Sequence, residues 1–236
     1  MERKPSKRPE LREIVYSTKR WNLLSELRQK AMQIMESLEK SNIKSVVHGS
    51  IARGDVSCRS DVDIFIPAYV SSFAVQNALE KKDITFTRLY VVQATPHYAM
   101  KAHVEIDETT TVSFPLMKLR KVEREFYSFG GQIERDDLKR SQRVAGVDKR
   151  LMLIEPTKEG HAESTIVSRE EHVAKILRVS VETVSDRVNA LLRRDRVGRT
   201  GVFIKEELSE GETFEMHLEK IAAKNPAVRR RLENQS

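Results

Sequence analysis

The segment that most constrains the fold of this chain is a Gly-Ser pair followed by two aspartates one residue apart. Gly49-Ser50 precedes Asp61-Val62-Asp63 by a short spacer, and apolar runs at 45–47 and 64–66 enclose the whole segment. Apolar runs of this length, bounded by small and polar residues, predict two strands. The segment therefore predicts a strand, a turn of small residues and a second strand that begins with two carboxylates.

The two aspartates predict a site for a divalent cation. Successive side chains of a strand point to opposite faces, so Asp61 and Asp63 are expected on one face and Val62 and Ile64 on the other. No basic residue lies between the two carboxylates, which repel each other unless a cation intervenes. Mg2+ suits this position because it binds oxygen ligands and is usually held by one or two carboxylates plus substrate phosphates.

The Gly-Ser pair predicts a site for phosphate. Gly49 lets the backbone approach a ligand closely, and Ser50 is expected to begin a short helix, 50–54, whose N-terminus favours an anion. Arg53 and Arg59 add positive charge with a geometry suited to phosphate. These residues together predict a nucleoside triphosphate at the turn and a metal ion on the next strand.

The order Gly49-Ser50-x-Ala52-Arg53-Gly54, then Ser60-Asp61-x-Asp63, resembles the signature of the polymerase-beta-type nucleotidyltransferases. The likeness is sharp over 46–66 and weaker to about residue 116. It implies a small mixed sheet with flanking helices. It also implies that the nucleotide is bound by Gly49, Ser50, Arg53 and Ser60, and that Mg2+ or Mn2+ is ligated by Asp61 and Asp63.

A third carboxylate normally completes a site of this family, on a later strand and often just before a Val-Pro pair. Here Phe114-Pro115 has no acid just before it. The segment Val104-Glu105-Ile106-Asp107 resembles part of the archaeal CCA-adding enzymes, so Asp107 is the first candidate for the third catalytic acid and Glu105 the second. A hairpin turn at 107–109 explains the same residues, since Asp is favoured in turns. Both interpretations stay open.

The C-terminal third predicts two helices joined by a short turn. The first is expected from an N-cap at Ser168 to about 180, and the second over 181–194, where apolar residues recur at helical spacing. Residues 197–204 predict a strand–turn–strand. The whole resembles a winged helix-turn-helix, whose second helix would expose Glu182, Thr183 and Asp186, among others, to a major groove. Phosphate contacts are expected from Arg193, Arg194, Arg196 and Arg199.

Charge and composition bear on the partners and the compartment. A net charge of +7 favours a polyanionic partner such as RNA or DNA. Winged helices also serve as packing or dimerisation modules, so a homodimer stays open, and the acids Glu182 and Asp186 count against tight DNA binding. The chain lacks an apolar run near the ~20 residues of a membrane span, and its basic N-terminus lacks a secretory signal. With Cys58 as its single cysteine, it fits a reducing cytoplasm.

These observations predict an α+β fold with two domains. The nucleotidyltransferase domain is expected over 1–155, including a long amphipathic helix before the first strand and a crossover helix at 72–81. The polar, turn-rich segment Glu155–His161 is the expected boundary. The winged helix-turn-helix domain is expected over 165–236, with a helical tail.

The leading hypothesis is a nucleotidyltransferase that moves a nucleoside monophosphate from a nucleoside triphosphate to an acceptor hydroxyl, with release of pyrophosphate. The acceptor could be a nucleic acid held by the C-terminal domain. The alternative is a nucleic-acid-binding regulator whose nucleotidyltransferase fold is catalytically weak or inactive. A third possibility resembles the minimal nucleotidyltransferases that modify a partner protein.

Overall fold

The computed structural model describes residues 11–198 and 201–234, and the chain forms two compact units. The described residues of the first unit are 11–32, 47–60 and 124–198, and those of the second unit are 33–46, 61–123 and 201–234. The units therefore interleave along the chain. This division differs from the two consecutive domains, 1–155 and 165–236, that the sequence predicts.

The strands and helices are numbered in chain order. The strands are β1 (Arg12–Val15), β2 (Val46–His48), β3 (Val62–Phe65), β4 (Arg88–Gln93), β5 (Lys101–Asp107), β6 (Thr110–Pro115), β7 (Gln132–Glu134), β8 (Gly146–Val147), β9 (Met152–Thr157), β10 (Gly160–Thr165) and β11 (Ile204–Glu207). The helices are α1 (Thr18–Lys40), α2 (Ser50–Arg53), α3 (Ser72–Glu80), α4 (Lys121–Gly130), α5 (Arg135–Lys139), α6 (Glu170–Leu177), α7 (Val181–Val197), α8 (Phe214–Lys224) and α9 (Pro226–Glu233).

The first unit contains an antiparallel sheet in the order β1-β10-β9-β8. The predicted boundary Glu155–His161 lies inside this sheet, because β9 and β10 form a hairpin that pairs Pro156 with His161. Strand β8 pairs with β9 only at Leu153 and Ile154. Pro156, which has no N–H to donate, therefore lies outside the part of β9 that hydrogen-bonds to β8. The polar composition that suggested a linker thus belongs to two strands and the tight turn between them.

Helices α6 and α7 pack on the core of the first unit. Their apolar residues join those of β8, β9 and the end of α4 in one buried cluster, which includes Phe129, Leu151, Leu153, Val173, Leu177, Val184 and Val188. The two predicted helices are therefore present. Helix α6 begins later than predicted, at Glu170, because Ser168 has a φ of 65° and lies outside the helix.

The strand–turn–strand predicted over 197–204 is wrong for the described residues. Val197 is the last residue of α7, and Ile204 is the first residue of β11, which pairs antiparallel with β4. The strand that begins at Ile204 thus pairs with Tyr90–Gln93 and does not form a hairpin with its neighbours in the chain. Without this hairpin the winged part of the winged-helix prediction is not confirmed.

The second unit contains five strands in the order β11-β4-β5-β6-β3, with β3 and β6 parallel and the other pairs antiparallel. This mixed sheet with flanking helices agrees with the predicted α+β class. One face is apolar, and Val62, Ile64, Val104 and Val112 are fully buried in it. Phe214 of α8 packs against Phe114 of β6 with ring centroids 5.6 Å apart.

Helix α1 is the long amphipathic helix that the sequence predicts. Leu24 and Ala31 are buried in its first part, and Ile34, Met35 and Leu38 in its second part. A hydrogen bond from the Ser37 hydroxyl to the Ala78 carbonyl oxygen ties the second part to α3. In the part of the chain that the structure describes, no helix is both long and apolar enough to cross a lipid bilayer.

Candidate functional site

The Gly49-Ser50 turn has a conformation that requires glycine at its first position. Gly49 has φ 78° and ψ −142°, and its N–H donates to the Gly131 carbonyl oxygen at 2.9 Å. A Cβ placed on Gly49 would meet no atom within 4 Å. The backbone angle, not crowding, therefore selects glycine here. Helix α2 follows at once and ends at Gly54 in the left-handed region, which matches the predicted short helix.

The structure brings together two of the residues predicted to bind nucleotide. The Ser50 hydroxyl donates to the Ser60 hydroxyl at 3.0 Å, and Ser60 Oγ accepts from the Ser57 N–H at 2.9 Å. Both serines are partly exposed, so a ligand can reach them. Ser60 therefore fixes the direction of the Ser50 hydroxyl at the start of α2, where N–H groups lack intrahelical acceptors.

The Arg53 side chain is engaged by groups of the protein itself. Its side chain is buried, Nη1 donates to the Gly130 carbonyl oxygen at 2.5 Å, and Nη2 and Nε each lie 3.0 Å from the Asp55 carboxylate. The guanidinium is thus committed to the protein interior. This geometry indicates that Arg53 supports the turn, and its contact with the triphosphate stays a prediction.

Arg28 is a second buried arginine that supports the turn, and sequence reasoning missed it. Its Nε and Nη2 donate to the Ile51 carbonyl oxygen at 3.1 and 3.0 Å, and Nη2 also donates to that of Ala52 at 3.2 Å. Burial, aided by the charge of Arg143, lowers the pKa of Arg28 to about 10. The sequence feature that could have identified Arg28 is its position on the apolar stripe of α1, one helical turn after Leu24.

The acid strand has the predicted alternation. Asp61 is exposed and Asp63 is half-buried, whereas Val62 and Ile64 between and after them have no exposed surface. Strand β3 pairs in parallel with β6, which places Thr111 opposite Asp63. The strand neighbouring Asp63 thus provides a hydroxyl and not a third carboxylate at this position.

The two candidates for the third acid have different surroundings. Asp107 Oδ1 accepts from both the N–H and the hydroxyl of Thr109 at 3.0 Å, in the turn between β5 and β6. The hairpin turn, one of the two predicted alternatives, is therefore present. Glu105 lies opposite Thr111 and holds Arg88 with both carboxylate oxygens, at 2.9 and 2.8 Å.

Two adjacent carboxylates fit the way Mg2+ is commonly held, with substrate phosphates completing the ligands. Asp61 and Asp63 offer only oxygen donors, and the exposure of Asp61 leaves room for a ligand. Within residues 11–198 and 201–234, no three or more His, Cys, Asp or Glu side chains converge as a metal-binding group.

An aromatic pair lies on the same sheet of the second unit. The rings of Tyr90 and His103 stack with centroids 4.9 Å apart, and Lys205 Nζ lies 5.0 Å from the Tyr90 centroid. Burial, with the charges of Lys101 and Lys205, lowers the pKa of His103 to about 3. His103 is therefore neutral at ordinary pH.

Helix α7 carries the predicted phosphate contacts at its C-terminal end. Arg193, Arg194 and Arg196 are exposed there, and Arg199 lies outside the described residues. The other end of the helix is capped from within the unit. Glu125 of α4 accepts from the Ser180 N–H at 2.9 Å and from the Thr183 hydroxyl at 2.6 Å. Thr183 is buried by this contact, which corrects its predicted exposure to a groove.

Comparison with protein families gives a match over part of the chain. Residues 28–114 match the family model described as a nucleotidyltransferase domain. The matched range contains the Gly49-Ser50 turn, both aspartates and strands β2 to β5, and it leaves out α6 and α7. No curated protein and no solved structure matches the chain. The match supports nucleotidyl transfer as the general activity of this range.

Proposed function

From the nucleotidyltransferase-domain match over 28–114 we propose that this chain transfers a nucleoside monophosphate from a nucleoside triphosphate to an acceptor hydroxyl, with release of pyrophosphate. The observation that carries the proposal is the start of β3. There Asp61 and Asp63 flank the fully buried Val62 inside the matched range. A buried residue between two accessible carboxylates fixes both of them to one face of the sheet.

Asp61 and Asp63 would hold Mg2+ or Mn2+ together with phosphate oxygens of the substrate. The bound ion would stabilise charge on the attacking and leaving oxygens of an in-line displacement. The aspartates orient the substrate through this shared ligation. We keep Asp107 as a candidate third catalytic acid, although its Oδ1 is engaged by Thr109 in the hairpin turn.

Gly49 and Ser50 are proposed to bind the triphosphate. The Ser50 hydroxyl would exchange its hydrogen bond to Ser60 for one to a phosphate oxygen, and Gly49, whose positive φ favours glycine, leaves the surface of the turn without a Cβ. Arg28 and Arg53 are positioning residues in this proposal. Their hydrogen bonds to Ile51, Ala52 and Gly130 hold the turn in place before a ligand arrives.

The test is transfer of label from α-labelled nucleoside triphosphates in the presence of Mg2+. We expect the double variant Asp61→Asn with Asp63→Asn to lose transfer and Mg2+-dependent nucleotide binding, because an amide cannot replace a carboxylate as a cation ligand. Asp83→Asn is the matched control, because Asp83 is exposed and its φ of 54° suits Asn. Unchanged transfer in the double variant would refute the assignment.

The second candidate function is nucleic-acid binding through α7, either to present an acceptor or to regulate. The exposed arginines at the end of α7 and the net charge of +7 support it. The Glu125 carboxylate at the start of the helix opposes it, since the N-terminal end of a recognition helix enters the major groove of a polyanion. It predicts salt-sensitive binding of duplex or RNA that survives loss of the aspartates and fails when Arg193, Arg194 and Arg199 are changed to Gln.

A further inference from the structure

Four side chains form one row across the sheet of the second unit. Strands β3, β6, β5 and β4 place Asp63 opposite Thr111, Thr111 opposite Glu105, and Glu105 opposite Arg88. Residues directly opposite on neighbouring strands point to the same face of a sheet. The row therefore contains two acids on one face with Thr111 between them, and the Thr111 side chain is also hydrogen-bonded to Tyr90 of β4.

The spacing of this row allows its two acids to act on one ligand. Neighbouring strands are about 4.8 Å apart, so the backbones of Asp63 and Glu105 are separated by about 10 Å. Glu is longer than Asp by one methylene, and Thr111 between them is small. Burial raises the pKa of Tyr90, and the charges of Glu105 and Asp63 raise it further, which places both acids near the Tyr90 side chain. A carboxylate that leans from Glu105 past Tyr90 and Thr111 would approach the oxygens of Asp63 from the opposite side of a bound cation.

Glu105 is not directed at such a ligand in this structure because Arg88 holds it. The Arg88 side chain is 53% exposed and that of Glu105 is 14% exposed. An ion pair with one exposed member contributes little net stability, so a stronger ligand can displace it. Glu207 also raises the pKa of Arg88 through its charge, after the larger effect of Glu105. Arg88 therefore keeps an anionic neighbour if Glu105 leaves.

We propose that Arg88 and a metal-bound nucleotide compete for Glu105, so that the Arg88–Glu105 pair is a latch that withholds the third carboxylate until substrate binds. This inference rests on the proposed function, because it concerns regulation of the site formed with Asp61 and Asp63. In the resting protein the latch leaves two carboxylates for the cation. When the nucleotide is bound, Glu105 exchanges Arg88 for the cation and Arg88 turns towards Glu207.

The test measures Mn2+ binding by electron paramagnetic resonance in the presence of a nonhydrolysable nucleoside triphosphate. Arg88→Gln should tighten Mn2+ binding about fivefold, which corresponds to removal of one part-exposed ion pair. Glu105→Gln should weaken it, and the double variant should show no gain over Glu105→Gln alone. Lys40→Gln is the charge-matched control, since Lys40 pairs with Glu36 on the exposed side of α1 in the same unit.

The outcomes separate the latch from the function on which it rests. If Arg88→Gln leaves Mn2+ binding unchanged, or tightens it equally with Glu105→Gln present, the latch is overturned while the nucleotidyltransferase proposal stands. If the wild-type protein binds no Mn2+ with nucleotide, both proposals fail. Thermal unfolding of each variant shows whether a loss of binding comes from loss of the fold.

Discussion

The Gly49-Ser50 turn of the first unit and the carboxylates of the second unit are fixed by different forces. The Gly49-Ser50 turn is held by buried arginines whose donors reach backbone carbonyl oxygens and the Asp55 carboxylate. The carboxylates of the second unit are placed by strand register, and Asp61 is exposed to solvent. A buried charged hydrogen bond contributes strongly to stability, whereas an exposed carboxylate contributes little.

This difference predicts where the effect of a substitution will be measured. Changes in the residues that support the turn should lower the free energy of unfolding. Changes in the carboxylate row should leave that free energy nearly unchanged and alter metal and nucleotide binding.

The largest decrease in the free energy of unfolding is expected for Arg53→Met. Removal of the guanidinium leaves the Asp55 carboxylate buried without its partner and the Gly130 carbonyl oxygen without its donor. Breaking a buried ion pair in this way costs about 3–5 kcal/mol, measured by urea unfolding. Adding Asp55→Asn to Arg53→Met should recover part of the loss, because the unpaired charge is gone. A loss below about 1 kcal/mol would show that the pair behaves as a surface pair.

A pH-dependent loss is expected from His103 in the second unit. Its pKa is about 3 in the folded protein, mainly through burial, and about 6.5 in the unfolded chain. Below pH 6.5 the unfolded chain binds the proton first, so stability falls as the pH decreases towards 3. Between pH 6.5 and 4.5, proton binding by His103 in the unfolded chain should lower the free energy of unfolding by about 2 kcal/mol. The variant His103→Gln should show a shallower decrease than the wild type over that window, and equal slopes would contradict the prediction.

Much of the site follows from local sequence, and the rest depends on distant contacts. The turn, helix α2 and the alternation of Asp61, Val62 and Asp63 are set by neighbours in the chain. The burial of Arg53 could not be predicted because its partners, Gly130 and Val147, lie 77 and 94 residues away. No local pattern distinguishes a guanidinium that faces a ligand from one that faces the interior.

The third acid could not be identified from the sequence for the same reason. The pairing of β3 with β6 and of β6 with β5 decides which residue is opposite Asp63, and that register is a long-range property. Sequence alone offered Asp107 and Glu105 but did not identify Thr111 as the residue between Asp63 and Glu105. The predicted hairpin after α7 failed for a related reason, since β11 pairs with β4 from more than 100 residues earlier.

A smaller decrease in the free energy of unfolding is expected for Gly49→Ala. The φ of 78° and ψ of −142° strain any residue with a Cβ, although no atom lies within 4 Å of the new methyl group. Strain of this kind costs about 1–3 kcal/mol. Gly211→Ala is the matched control, because Gly211 also has a positive φ and open surroundings in the second unit. Both variants should lose similar stability, but only Gly49→Ala should weaken nucleotide binding.

The smallest change in stability is expected for Asp61→Asn, and it tests the contrast most directly. Asp61 is exposed and precedes β3, so its substitution by an isosteric amide should alter the free energy of unfolding by no more than about 0.5 kcal/mol. Mn2+ binding with nucleotide should nevertheless weaken at least tenfold, a difference of about 1.4 kcal/mol. Urea unfolding and a Mn2+ titration on the same preparation separate the two quantities. A large loss of stability with unchanged Mn2+ binding would make Asp61 a structural residue and would remove the distinction between the preformed turn and the ligand-dependent carboxylates.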